Sequence, residues 1–394
     1  MIINIFNRKL NLAISYFVLL VWIAFLFNSI AHSFESKAKT VLVIDNLTNT
    51  IMLEKNSSER IPPASMSKLM TLYMVFEALK DKRLLMTDII RVSKNASQKG
   101  GSKMFLNEGQ DVSIEDIIRG IIIHSGNDAC IAIAETLSGT ENAFAKDMNA
   151  KAKKLGLTNS SFTNSTGWPD QNHYMSAIDL ANLASRIQVE FPDYYKFFAE
   201  DSYSWNGIIQ KNRNPLLRKG LGADGLKTGH TEEAGYGLVG STKRGNRRIT
   251  FVISGLNTSK ERTLEAEKIT NWAYRDFTAK KVAKKNQIIG RMPVWLGEKS
   301  DVALYTKDDI YILIPVTAEP DIAAFLRYET PVEAPFEVGS LTPARLEVIF
   351  KSNSQSINKE FELYAFEGSK SGGFFTPLQA TTKIIFNHLR RIIN

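Results

Sequence analysis

Residues 61–71 read Ile61-Pro62-Pro63-Ala64-Ser65-Met66-Ser67-Lys68-Leu69-Met70-Thr71. Pro62-Pro63 blocks helix up to that point. Beyond it Met66, Leu69, Met70, Tyr73, Met74 and Phe76 recur at helical spacing, so a helix starts here. Ser65 and Lys68 stand three apart, one above the other on one helix face, which brings the Lys68 amine toward the Ser65 hydroxyl. The positive end of the helix favours an alkoxide developing on Ser65, and a serine beside an amine base is a recognised nucleophile arrangement. The spacing alone is cheap, because Ser36/Lys39 and Ser356/Lys359 repeat it.

Upstream, Val41–Asp45 and Ile51–Glu54 read as strands joined through Asn46-Leu47-Thr48-Asn49, a hairpin. Downstream, Ser113 caps a helix running to about Ile123, with Glu115 and Asp116 in its first turn. Further helices run from Asp128 to Ser138, closed by Gly139, and from Glu141 to Leu155, closed by Gly156. Ser176, with Asp179 three residues on, opens another. From Gly225 the texture changes. Leu226–Gly229, Tyr236–Lys243 and Arg247–Gly255 read as strands, the last two joined by Arg244-Gly245-Asn246, and Ser259 caps a long helix to about Lys281. Helices in a block between strands predict an α+β fold with an antiparallel sheet. After Lys284-Lys285 the pattern is strand-like, clearest at Ile310–Val316 and Leu346–Phe350, which sets off residues 285–367 as a small β domain behind a catalytic region of residues 34–284.

Two more short motifs carry chemistry. Ser125-Gly126-Asn127 lies between two apolar helices, where Ser and Asn also serve as ordinary caps and turn formers; S-x-N recurs at Ser93, Ser204 and Ser356. Lys227-Thr228-Gly229 occurs once, on a strand. A lysine and a hydroxyl there can hold a carboxylate, and the glycine lets a substrate backbone approach. The same residues also describe a solvated edge strand guarded by lysine.

The three together, in this order, are another matter. Lys68 and Ser125 are 57 residues apart and Ser125 and Lys227 are 102 apart, and each motif falls in its own context of helix start, inter-helix loop and strand. That constellation is the signature set of penicillin-binding proteins and serine β-lactamases. The longer strings Pro63–Thr71, Ser125-Gly126-Asn127-Asp128-Ala129 and Lys227-Thr228-Gly229-His230-Thr231 closely resemble the low-molecular-mass D-alanyl-D-alanine carboxypeptidases, penicillin-binding proteins of the 5/6 kind. The resemblance runs from about residue 38 to the tail, and implies a β-lactamase/transpeptidase-like domain, a β-rich second domain and a C-terminal amphipathic anchor.

It also implies a mechanism. Ser65 attacks the carbonyl between two terminal D-alanines, and Lys68 takes its proton. Ser125 relays a proton to the leaving amine, and Asn127 holds the substrate amide. Lys227 and Thr228, with Gly229 beside them, bind the terminal carboxylate. The backbone N–H groups of Ser65 and His230 form the oxyanion hole. The implied partners are peptidoglycan stem peptides, β-lactams as inhibitors and the outer surface of the cytoplasmic membrane, with a homodimer left open; no cofactor or metal is called for. Lys99-Gly100-Gly101-Ser102-Lys103 has the place of an active-site lid in that family. His124 and His173 read as packed or loop histidines, and Cys130 as inert core. A single cysteine among 394 residues excludes a disulfide framework and Cys-based metal sites.

Two alternatives share this fold. A class A β-lactamase needs an E-x-x-L-N stretch, which is absent, and an S-D-N motif where Ser125-Gly126-Asn127 stands. A D,D-endopeptidase would use every one of the same residues. From a different class, a non-catalytic cell-wall binding or shape protein has no need of the complete nucleophile set.

The ends of the chain explain its charge. Arg8 and Lys9, the apolar run Leu12–Phe27 and Ala31-His32-Ser33 are the parts of a signal peptide over residues 1–33, with an uncleaved signal anchor as the alternative. Residues 374–394 wind into a helix with Leu378, Ile385, Phe386, Leu389, Ile392 and Ile393 on one face and Lys383, Arg390 and Arg391 around the other, an in-plane membrane anchor. A terminal helix docked on the protein's own core is the alternative. The net charge of +8 then divides into +2 from the first segment, +3 from the tail and only +3 over residues 34–373, which removes the support for nucleic-acid binding. The expected location is the periplasmic face of the cytoplasmic membrane.

Overall fold

A computed structural model describes residues 34–317, 321–330, 332–352 and 355–373. The segments expected to be the signal peptide and the amphipathic anchor lie outside the described residues.

Strands β1 (Thr40–Asp45) and β2 (Thr50–Lys55) form the expected hairpin. A 3-10 turn, Ala64–Ser67, then leads into helix α1 (Lys68–Lys80). Ser65 therefore sits in a tighter turn than an α-helix, one in which residues three apart eclipse each other. A small pair, β3 (Ile89–Arg91) and β4 (Asp111–Ser113), brackets the short helix α2 (Lys94–Gln98). Helices α3 (Ile114–Arg119), α4 (Asn127–Ser138), α5 (Glu141–Leu155), α6 (Ala177–Glu190) and the single turn α7 (Pro192–Tyr195) follow. Ser113 and Ser176 cap as predicted, each oxygen accepting from the N–H three residues on. The expected continuous helix to Ile123 instead widens over Gly120–His124 into a π-turn, which ends on Ser125.

The hairpin β5 (Ser202–Trp205) and β6 (Ile208–Lys211) precedes three long strands, β7 (Ala223–Thr231), β8 (Gly235–Arg244) and β9 (Arg247–Leu256). They complete a five-stranded antiparallel sheet in the order β2-β1-β9-β8-β7, so the N-terminal hairpin joins strands 200 residues downstream. Alternation along the strands serves two layers. Leu42, Val239 and Val252 enter a large core with Leu69, Phe76, Ile117, Ile131 and Phe144. Helix α8 (Ser259–Arg275) packs on β8 and β9, burying Ala266, Ile269 and Ala273.

Helix α8 departs from expectation at both ends. Its cap is Thr258, whose hydroxyl accepts from the Glu261 N–H, and it stops at Arg275 rather than near Lys281. Phe277-Thr278-Ala279-Lys280-Lys281 has fair helix propensity, but these residues form β10 (Phe277–Ala283), paired with β13 (Ile310–Pro315). Tertiary pairing overrides local preference here. The remaining strands, β11 (Ile288–Pro293), β12 (Asp301–Tyr305), β14 (Asp321–Arg327), β15 (Leu341–Ser352) and β16 (Gln355–Ala365), form a second sheet in the order β11-β12-β16-β15-β14. Met292, Leu304, Leu346, Val348, Phe350 and Leu363 fill a core of its own. The fold is α+β with a C-terminal all-β region.

Candidate active site

The 3-10 turn, the loop before α4 and the strand β7 converge on one cavity of about 450 Å3, lined by Ser65, Ser125, Thr228, Gly229 and His230 among the predicted residues. Lys68, Asn127 and Lys227 lie directly behind that lining, all three buried.

Lys68 has no exposed surface. Its Nζ stands 2.7 Å from Ser65 Oγ, 2.8 Å from Asn127 Oδ1 and 2.5 Å from the Thr166 carbonyl oxygen, three acceptors for the three N–H bonds of an ammonium. Burial brings its pKa down to about 8, so about a tenth of it is neutral at pH 7. An amine that is partly free and already in contact with the serine hydroxyl is equipped to take that proton.

Ser125 occupies a left-handed backbone conformation, φ 59°, which L-residues rarely adopt, and so does Ala64, φ 48°, immediately before Ser65. Both costs fall at the cavity, where strain held by the surroundings aims side chains. The Ser125 Oγ accepts from Lys227 Nζ at 2.9 Å. Lys227 is buried in the middle of β7, and desolvation with Lys68 nearby pushes its pKa well below the ordinary lysine value. An incoming carboxylate would reverse that penalty, which makes the ammonium a strong anion trap.

Asn127 opens α4. Its Nδ2 donates to the Gly100 carbonyl at 2.8 Å and its own N–H to the Ser102 carbonyl at 2.7 Å, so the glycine-bearing loop is fastened to the site. The buried carboxylate of Asp128 fastens it further, accepting from the N–H groups of Met104, Leu106 and Ala129. Gly229 also has a packing use. A Cβ there would come within 2.8 Å of the Pro63 carbonyl oxygen and 3.2 Å of Ala64 Cβ, so its bareness lets β7 lie against the Ser65 turn.

Sequence reasoning missed several residues of the cavity. Arg213, Tyr236, Ser259 and Arg262 complete the lining, with Ser102 of the expected lid loop. Arg262 is 7% exposed, its Nε has no hydrogen-bond partner, and burial lowers its pKa only to about 10, so it stays charged. Two arginines and no carboxylate line the cavity, a site built for an anion. Arg262 follows Ser259 by three at a helix start and reads there as an ordinary first-turn residue. Thr166 acts through its carbonyl, for which residue type carries no signal. His230 stacks on Tyr236, ring centroids 3.8 Å apart. His124 and His173 are buried away from the cavity lining, and burial holds His173 down at about 4. Cys130 is fully buried and its thiol is pushed up to about 12.

Comparison with known proteins agrees with this geometry. A family profile described as D-alanyl-D-alanine carboxypeptidase, peptidase S11, matches residues 28–258, and one described as the penicillin-binding protein 5 C-terminal domain matches residues 277–364. The D-alanyl-D-alanine carboxypeptidase DacF of Bacillus subtilis is 35% identical over 351 residues, covering 88% of this chain and 89% of that protein. The crystal structure of penicillin-binding protein 5 from Haemophilus influenzae superposes with a TM-score of 0.80 at 33% identity, over 86% of this chain and 99% of that one. Penicillin-binding protein D2 of Listeria monocytogenes, solved in its ampicillin-bound form, covers 61% of this chain and 99% of its own with a TM-score of 0.57 and 26% identity. A serine and a buried lysine in contact, a second lysine on the neighbouring strand and this match over both regions lead to one conclusion: the chain belongs to the D-alanyl-D-alanine carboxypeptidase family, and is a serine-type carboxypeptidase of the penicillin-binding protein fold.

Proposed function

We propose that Ser65 is the nucleophile of a hydrolysis that removes the terminal D-alanine from peptidoglycan pentapeptide stems. The observation that carries this is the contact of Lys68 Nζ with Ser65 Oγ at 2.7 Å, made by a lysine that burial leaves partly neutral. Ser65 Oγ attacks the carbonyl carbon between the two D-alanines while its proton passes to Lys68. The carbonyl oxygen gains the negative charge, and the backbone N–H groups of Ser65 and His230 are the donors assigned to it. The C–N bond then breaks, the proton taken up by Lys68 is relayed through Ser125 to the leaving amine, and D-alanine departs. Water hydrolyses the ester on Ser65 and restores the enzyme. Asn127 holds the acyl-side amide, its Nδ2 still having a second N–H to give. Lys227 and Thr228, with Arg213 and Arg262 lining the same cavity, take the terminal carboxylate, which accounts for exopeptidase action. β-Lactams, which mimic the terminal dipeptide, acylate Ser65.

The same reading covers the whole chain. Residues 1–33 export it, residues 34–284 carry the catalysis, residues 285–367 form the β-rich region, with β10 as the junction, and residues 374–394 hold it at the periplasmic face of the cytoplasmic membrane. The test is incubation with diacetyl-L-Lys-D-Ala-D-Ala. Free D-alanine is the expected product, and Ser65→Ala abolishes both its release and the attachment of labelled penicillin. Penicillin attachment to Ser65 without D-alanine release would replace this reading with an endopeptidase or regulatory role.

A further inference from the structure

Beside Asn127 and the Gly100-Gly101 loop stands an aromatic side chain the mechanism above does not use. Trp168 is 45% exposed, yet its backbone is held tightly. Asn164 Oδ1 accepts from the N–H groups of Thr166, Gly167 and Trp168, and Asn164 Nδ2 donates to the Trp168 carbonyl. Gly167 lies so close to the nucleophile turn that a Cβ on it would meet the Ala64 carbonyl oxygen at 1.9 Å. The ring itself rests beside Gly101, where a Cβ would touch both Trp168 Cζ3 at 2.9 Å and Asn127 Nδ2 at 2.8 Å. Over the ring, 5.2 Å from its centroid, sits the Lys99 ammonium.

The direction of the substrate follows from the functional reading above, on which this inference rests. With the terminal carboxylate at Lys227 and the arginines, and the acyl-side amide at Asn127, the chain continues past Asn127 to Trp168. The residue that arrives there is the one preceding the two D-alanines. Its methylenes can lie on the indole, which offers a large rigid surface at low entropic cost. Its terminal group meets Lys99. A side chain ending only in an ammonium finds the cation–π position on that ring already taken and a like charge beside it. A side chain that also carries a carboxylate finds a partner.

We propose that Trp168 and Lys99 form a subsite selecting stems whose third residue is a diaminodicarboxylic acid, over stems in which that residue has an amine alone. Lys227 with the arginines then meets the terminal carboxylate of the substrate, and Lys99 its side-chain carboxylate.

The test uses two peptides that differ by one carboxylate: Nα-acetyl-L-Lys-D-Ala-D-Ala with a free side-chain amine, and its meso-diaminopimelyl counterpart. The ratio of kcat/KM for the two is the readout, and penicillin labelling of Ser65 shows that each variant is folded. Wild-type enzyme should favour the diaminodicarboxylate about fivefold, the worth of one partly exposed ion pair, and less at high salt. Lys99→Gln should bring the ratio near one, Lys99→Glu should invert it, and Trp168→Ala should raise KM for both peptides. A wild-type ratio of one, or a preference that survives Lys99→Glu, overturns the subsite while leaving the carboxypeptidase reading standing. D-Alanine release from neither peptide overturns that reading and the subsite with it.

Discussion

In the proposed mechanism Lys68 is both a hydrogen-bond donor that orders the site and a base that accepts a proton, and its burial decides the balance. Only the neutral amine can take the Ser65 proton, and burial sets its pKa at about 8. Acylation by penicillin in the free enzyme should therefore rise with pH, about tenfold per unit below 7, and level off above about 9. The second-order labelling rate measured from pH 5.5 to 9.5 checks this; a flat profile would assign the base elsewhere. Gly167 gives a second expectation. At φ 77° and hard against the Ala64 carbonyl, it has no room for a methyl group. Gly167→Ala should destabilise the protein by about 2 kcal/mol or more and slow acylation by about 100-fold, since Ser65 must shift. Chemical denaturation and the same labelling rate read the two effects.

At the scale of elements, the site is an assembly of two loops on a helix and a strand. Asp128, at zero exposure, ties the loop of residues 100–106 to the start of α4 through two backbone N–H groups, those of Met104 and Leu106, and accepts a third from Ala129 of the helix itself. Asp128→Ala leaves those donors buried without an acceptor, so a loss of about 3 kcal/mol is expected. Because Asn127 is fastened to the same loop, acylation should slow as well; a variant as stable and as fast as wild type would show that the loop is held by other means. This scale also shows what the sequence disclosed. Ser65/Lys68 was readable because the periodicity placed it at a helix start, and the turn there eclipses residues three apart. The same spacing at Ser356/Lys359 falls on β16, where residues three apart point to opposite faces, and there Lys359 donates to the Thr48 carbonyl and Thr50 Oγ1 instead. Phe277–Lys281 reads as the end of a helix because the pairing partner that makes it a strand lies some 30 residues away. Arg213 and Arg262 escaped because long-range packing, not local pattern, brings them to the cavity.

The whole molecule has at least two independent cores among its described residues. One runs from Leu42 to Val252 and another from Ala283 to Leu363, with no residue in common. Polar contacts join the two regions, beside an edge-on ring contact between Trp272 and Phe277, centroids 5.2 Å apart. Arg247, held on β9 by the buried carboxylate of Asp45 at 2.5 Å, donates to the Phe277 carbonyl at 2.6 Å, and Lys359 reaches from β16 to the β1–β2 hairpin. Hydrogen bonds of this kind contribute about 1 kcal/mol each, more where a charge is involved, far less than either core. The regions should therefore unfold separately. Penicillin bound covalently at Ser65 adds contacts to the catalytic region alone, and a ligand that binds only the folded state raises the transition of the unit that holds it. Scanning calorimetry of the protein should show two transitions, one raised by acylation and one that stays within about a degree. Lys359→Ala should leave the acylation rate unchanged, because that lysine touches only the outer edge of the sheet. A single transition, or two that move together with penicillin, would mean that the polar junction couples the β region to the active site, and that the region is part of the catalytic machine rather than its mount.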